Sequence, residues 1–286
     1  MRFEFLSGAG ALVSDIDLGE KPAVAELDNL QEVYRDRYLL VFRNQALSPE
    51  RQVEVTGWFG PIRVSEDGSV GYVSNVRPDG IVPEGPLPFH SDMSFTEHPL
   101  LGISLHALEV PLEGATTLFA NAVAGVQRLP RSVQHALTGR RILNIAGYGA
   151  SFGTRRREWE CDPLEPRAEH PAIDTHPSSG RPVLRLNALS TSHVVGMAEA
   201  DSEKVLEQVI GVLYDPANVY EHHWQVGDLL IFDNIALHHA RADFDSGERR
   251  TLQRVVLAEH GPMAVSPQLA ALYDRAQQRA GQGRRP

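Results

Sequence analysis

The chain has 286 residues, 42% of them hydrophobic and 22% charged, with a formal net charge of -10. That supplies apolar material for one large globular domain or two small ones, and its acidic surface argues against nucleic acid as a partner, because phosphate binding needs a basic face. A single cysteine, Cys161, excludes an internal disulfide and a cysteine metal cluster and fits a reducing compartment.

At the start, MRFEFLSGAGALVSDIDLGE carries Glu4 and Asp15, which break any secretory pattern. No stretch approaches the roughly 20 apolar residues of a membrane span, so a cytoplasmic protein with no membrane partner is expected. KPAVAELDNLQEVYRD (Lys21–Asp36) places Ala23, Leu27, Leu30 and Tyr34 on one helical face. YLLVFRN then reads as a buried strand. SPERQVEVTGWFG opens with a Ser48 cap and Pro49 in the first turn, and reads as a helix ending at Gly60. Residues 61–89 are rich in Gly, Pro, Asp and Ser, and read as a long loop enclosing a short VGYVSNV run.

From residue 100 the pattern becomes short strands separated by turn residues: LGISLHALEV, ATTLFAN, RRILNIAGY, PVLRLN, DLLIFDN and TLQRVVLAEH. Two helices interrupt them, PRSVQHALTG and DSEKVLEQVIGVLYD. The second carries a core-facing stripe of Val205, Leu206, Val209, Ile210 and Leu213. Many short strands with turn punctuation predict a mainly β fold with flanking helices, a double-sheet barrel or jelly roll rather than alternating β-α-β units. No Gly-rich phosphate loop follows a strand, so nucleotide chemistry has no support.

The stretch GPLPFHSDMSFTEHP, residues 85–99, holds the sharpest chemical signal. In an extended strand residues i and i+2 share a face, so His90 and Asp92 converge while Ser91 points away. An imidazole beside a carboxylate is two-thirds of a 2-His-1-carboxylate facial triad, which binds divalent iron and leaves three positions open. Alone, the spacing better describes a hydrogen-bonded surface pair. A second stretch strengthens it: GDLLIFDNIALHHARADFDSGERRTLQRVVL, where a strand ends at Asp233-Asn234, a histidine pair follows, and a strand with Arg249, Arg250 and Arg254 comes after.

Taken together these residues resemble the taurine dioxygenase / 2,4-dichlorophenoxyacetate dioxygenase family of iron(II)- and 2-oxoglutarate-dependent oxygenases. The family pattern W-H-x-D is met by FHSD, with Phe89 for Trp. G-G-D-T-x-F is met by GATTLFAN, with Gly114 and Thr117 kept. W-D-N-R-x-x-x-H is met by FDNIALHH, with Phe232 for Trp and Ile235 for Arg, and R-R-x-x-x-R by RRTLQR. HPSSGRPVLRLNALSTSHVVGM and HHWQVGD match as well.

The resemblance implies a double-stranded β-helix (jelly roll), with residues 1–265 a single oxygenase domain and 266–286 a C-terminal helix and disordered tail. It implies His90, Asp92 and His239 as ligands of Fe(II), the distal histidine being set at His239 by counting six residues on from Asp233. His238 would then point the other way, as a barrel-exterior or supporting histidine, and His222 and His223 would be scaffold. Arg250 would grip the distal carboxylate of the co-substrate 2-oxoglutarate bidentately, and Thr117 would add a hydroxyl donor. Arg249 would face outward, and Asn121 and Asn234 would be turn or scaffold residues. Arg254 is the expected anchor for an anionic substrate, the alternative being that it pairs with a protein carboxylate or supports 2-oxoglutarate, with Asn75, Tyr72 and Tyr148 as further substrate contacts and loops 65–88 and 149–170 as the shield.

The implied reaction uses O2 to hydroxylate a C–H bond of a small, anionic organic molecule, releasing succinate and CO2. Desaturation, epoxidation or ring formation on a natural-product intermediate is the alternative outcome, and a non-catalytic small-molecule-binding barrel is the reading outside enzymology. A homodimer or homotetramer is implied as the assembly.

Overall fold

The structure is a computed structural model that describes residues 1–64, 68–81, 85–146, 155–163 and 165–259. Its strands are β1 (Arg2–Phe5), β2 (Ala11–Ser14), β3 (Leu39–Phe42), β4 (Val70–Ser74), β5 (Gly80–Ile81), β6 (Leu87–His90), β7 (Gly102–Glu109), β8 (Thr117–Asn121), β9 (Arg141–Ile145), β10 (Arg167–Pro171), β11 (Ile173–Thr175), β12 (Pro182–Leu184), β13 (Thr191–Val194), β14 (Val219–His222), β15 (Leu229–Asp233), β16 (Leu237–Arg241) and β17 (Thr251–Leu257). The helices are α1 (Val24–Arg37), α2 (Pro49–Gly57), α3 (Ala122–Arg128), α4 (Arg131–Leu137) and α5 (Glu199–Leu213).

Two sheets form the jelly roll. The larger has eight strands in the order β1-β2-β3-β15-β7-β17-β4-β5, and the smaller has four, β14-β8-β16-β6. Phe119 of β8 meets Phe232 of β15 edge-to-face at 5.0 Å, so the sheets pack face to face. Alternation explains why β3 and β15 read as unbroken apolar runs. Leu39, Val41, Leu230 and Phe232 enter the core between the sheets. Leu40, Phe42, Leu229 and Ile231 enter a second core, with Leu30 and Tyr34 of α1 and Val55 of α2. A strand covered on both faces has no polar side to show.

α1 and α2 form where the periodicity and caps place them. Ser48 Oγ accepts from Arg51 N at 3.2 Å, but α2 stops at Gly57, one turn short of Gly60. Two expectations are corrected. The stretch 61–89 is not a single irregular loop: β4 lies beside β17 in the large sheet and β6 beside β16 in the small one. Cross-strand pairing overrides its loop-like composition. A third helix, α3, follows β8 directly, because Asn121 Oδ1 accepts from both Val123 N and Ala124 N and turns the strand into a helix. The N-terminal β1–β2 hairpin extends the large sheet. The expected C-terminal helix and tail, 266–286, lie outside the described residues. Among the described residues no helix is long and apolar enough to cross a membrane.

Candidate active site

A cavity of about 80 Å³ opens between the two sheets, lined by His90, Asp92, Thr117, His239, Arg250 and Arg254 among others. β6 ends at His90, which pairs directly with His239 on β16. Directly opposed residues send their side chains to one face, and here that face is the cavity. The two rings lie 4.2 Å apart between centroids. His90 Nε2 is 3.1 Å and His239 Nε2 3.6 Å from the same oxygen, Asp92 Oδ1. One ligand atom from each of the three residues falls within 4.8 Å of the others. His90 Nδ1–H donates to the Pro88 carbonyl at 2.8 Å, which fixes the tautomer and leaves Nε2 with its lone pair directed at the cluster.

Asp92 does not sit on the strand as the i, i+2 argument expects. β6 has ended, and Asp92 stands in a turn whose next residue, Met93, has φ 60°. A left-handed residue other than glycine is strained and needs support. Asn234 provides it: its Oδ1 accepts from Asp92 N at 2.8 Å, while its Nδ2 donates to the carbonyls of Asp92 at 3.0 Å and Leu100 at 2.8 Å. Ser91 Oγ donates back to the Asn234 carbonyl. His90 and Asp92 do converge, through a turn held by a residue 142 positions later.

The electrostatics suit a divalent cation. Burial alone would raise the Asp92 pKa, but its contact with His90 and the charge of Arg254 hold the carboxyl well below the usual carboxylate range. Burial, then the neighbouring His90, pushes the His239 imidazole down to about 3, so it is neutral and able to donate a lone pair. Two neutral imidazoles and one carboxylate are the donor set that iron(II) takes, with no thiolate near.

His238 points away from the cavity as expected, but it is buried beneath other side chains rather than exposed. It is 1% exposed and its Nδ1 bonds the Tyr214 hydroxyl at 3.1 Å, on the face of β16 away from the cavity. Phe89 likewise faces away from the cavity and stacks on Tyr214 at 4.2 Å. His222 is bound to Asp228 at 3.0 Å, and His223 gives its carbonyl to Arg43. Arg249 points outward to Glu109 at 2.8 Å.

Arg250 immediately precedes β17 and is 3% exposed, yet its Nε and Nη1 have no partner. Such donors are costly to bury without an acceptor, and a carboxylate is the acceptor their fork fits. Thr117 Oγ1 accepts from the indole N–H of Trp224 at 2.9 Å. Since indole can only donate, the hydroxyl hydrogen of Thr117 is left to donate elsewhere. Arg254, on β17, spends one arm on Asp92: Nη2 to Oδ2 is 2.6 Å.

The expected substrate contacts fare differently. Val73 of β4 faces the cavity, so Tyr72 faces away, with the Arg77 guanidinium 3.6 Å above its ring. Asn75 is a clasp for the Arg250 backbone, accepting from Arg250 N at 2.9 Å and donating to the Glu248 carbonyl at 2.7 Å. Tyr148 lies outside the described residues, as do 65–67, 82–84, 149–154 and 164 in the two expected shielding loops. Two cavity features escaped the sequence reading. Trp224 was legible only as part of a matching motif. Arg241 lines the cavity two residues after His239, an alternation that places both on one face.

Comparison with known proteins agrees with this geometry. The chain is 31% identical over 266 residues to the alpha-ketoglutarate-dependent 2,4-dichlorophenoxyacetate dioxygenase of Cupriavidus pinatubonensis, covering 85% of this chain and 92% of that one. It is 27% identical over 262 residues to the (S)-phenoxypropionate/alpha-ketoglutarate-dioxygenase of Sphingobium herbicidovorans, covering 85% and 89%. The fold matches the crystal structure of AAD-2 in complex with Mn(II) and N-oxalylglycine with a TM-score of 0.77 at 22% identity, covering 92% of this chain and 99% of that one. The model of the taurine catabolism dioxygenase TauD, TfdA family matches residues 5–256, and the chain belongs to that family.

Proposed function

We propose that this protein is an iron(II)- and 2-oxoglutarate-dependent dioxygenase that hydroxylates a C–H bond of a small anionic molecule, with release of succinate and CO2. The observation that carries the reading is the juxtaposition, in one cavity, of the His90–Asp92–His239 cluster and a buried Arg250 with two unpartnered N–H groups. His90, Asp92 and His239 would hold the metal; Arg250 and Thr117 would hold the distal carboxylate of 2-oxoglutarate. The bound iron supplies the activation of dioxygen that is coupled to decarboxylation of the 2-oxo acid.

The protein's own part is positioning. The Pro88 carbonyl keeps His90 in the tautomer that presents Nε2. Asn234 fixes the turn that aims Asp92. Phe232, 5.0 Å from the His239 ring, makes one wall apolar. Arg254 touches Asp92 through one nitrogen and lines the cavity with the rest of its fork, where it would meet the anionic group of the substrate. Two relatives whose names specify phenoxy acids support an anionic substrate. Residues 1–265 would act as one catalytic unit in the cytoplasm, as a homodimer or homotetramer.

The test is a screen of phenoxyacetic, phenoxypropionic and related carboxylic acids with the iron-loaded protein under air. The expected result is succinate release in step with substrate hydroxylation. Turnover of an acid without dioxygen, or without 2-oxoglutarate, would overturn the reading.

A further inference from the structure

The co-substrate end of the cavity holds two guanidiniums rather than one. Arg241 closes β16 and pairs directly with Thr117 on β8. The two side chains therefore stand on the same face of the small sheet, and His239 shares it by alternation. Arg241 is 7% exposed and Arg250 3%. Both approach one ring: the guanidinium carbon of Arg241 is 5.5 Å and that of Arg250 6.0 Å from the Phe244 centroid. Nε of Arg241 donates to the Gly85 carbonyl at 3.0 Å, which ties the approach to β6 onto β16, and Nη2 donates to the same oxygen.

Holding two buried cations this close is unfavourable. Burial, then the charge of Arg241, pushes the Arg250 pKa down to about 9. Asp243 offsets part of the Arg241 charge, and Asp92, the carboxylate among the described residues that line the cavity, is engaged with His90, His239 and Arg254. An anion beside Arg250 would relieve the repulsion there. Nε and Nη1 of Arg250 already wait for one.

We propose that Arg241 is a specificity-determining residue for the 2-oxo acid, contacting its distal carboxylate together with Arg250 and Thr117. This rests on the 2-oxoglutarate reading above. Its consequence is discrimination: 2-oxo acids of the same length that lack the second carboxylate are rejected more strongly than one arginine would achieve.

The test is equilibrium binding, without turnover, of 2-oxoglutarate and of 2-oxovalerate to the manganese(II)-loaded protein. Wild type is expected to prefer 2-oxoglutarate. Arg241→Gln should weaken 2-oxoglutarate by about tenfold or more while changing 2-oxovalerate by less than about twofold. Arg241→Lys, which keeps the charge but not the fork, should lose less of the preference, and it carries the test if the glutamine variant does not fold. An equal loss for both acids would make Arg241 a structural tie to Gly85 and overturn the proposal. Unchanged binding of 2-oxoglutarate in both variants would overturn it too. A wild-type protein that binds no 2-oxoglutarate would overturn both this proposal and the functional reading beneath it.

Discussion

Arg250 immediately precedes β17 and Arg254 lies within it, and the two are buried and paired differently, which separates their expected roles. Arg254 is committed in part to Asp92, whereas Arg250 has two buried nitrogens without a partner. Truncating one member of a buried charge pair costs about 2–5 kcal/mol. Arg250→Gln is therefore expected to raise the KM for 2-oxoglutarate by about tenfold or more with little change for the substrate. Arg254→Gln should do the reverse when assayed at saturating iron(II). It should also lower metal affinity by about tenfold, because Asp92 loses the donor that orients its second oxygen. Steady-state kinetics and a metal titration on the two variants check this. If Arg254→Gln impairs 2-oxoglutarate alone, the anionic-substrate assignment fails.

Among the elements, the turn after β6 and the segment at 155–160 are two that local sequence does not specify. The first is held by Asn234, 0% exposed, which makes three hydrogen bonds to the backbone at Asp92 and Leu100. Asn234→Ala should cost about 2–3 kcal/mol of stability, for the buried groups it strands. It should also weaken iron(II) binding by about 10–100-fold, since groups that orient ligands act on that scale. Denaturant unfolding and metal titration measure the two effects, and an unchanged metal affinity would show that Asn234 does not position Asp92. The second segment is fastened to α5 by Glu203, which Arg155 meets at 2.7 Å and 3.3 Å and Arg157 holds from the other side. The Arg157 hydrogen bond, assisted by Arg155, lowers the Glu203 pKa from 4.5 to about 2. A depressed carboxylate pKa contributes stability that is fully present above 4.5 and is lost as pH falls through about 2. Glu203→Gln should thus speed amide exchange at 155–160 near neutral pH at a global cost of about 1 kcal/mol or less, and remove the protection's dependence on pH between those values. Exchange that is unchanged in the variant would contradict this account.

For the whole molecule, two facing sheets bring β6, β8, β16 and β17 to one cavity although their residues span 87–257. The sequence made much of this readable. Short alternating strands implied the double-sheet fold, and the six-residue count from Asp233 placed the distal histidine at His239, whose Nε2 the structure brings to Asp92 while His238 turns to Tyr214. What was hidden depends on contacts between distant segments. β4 and β6 lie in a Gly- and Pro-rich stretch and become strands only by pairing with β17 and β16. Asp92 aims correctly only because Asn234 holds its turn, and Tyr72 misses the cavity because of which face of β4 it occupies. Arg241 was visible in principle by alternation from His239, but a single arginine sufficed for the resemblance. The most direct test of the central claim is an oxygen-free titration of the purified protein with iron(II) and then 2-oxoglutarate, followed by visible absorption. The account predicts one iron per chain and a weak charge-transfer band on adding 2-oxoglutarate, both lost in His90→Ala and His239→Ala and both kept in His238→Ala. A protein that binds no iron(II), or a His239→Ala variant that retains both signals, would contradict it.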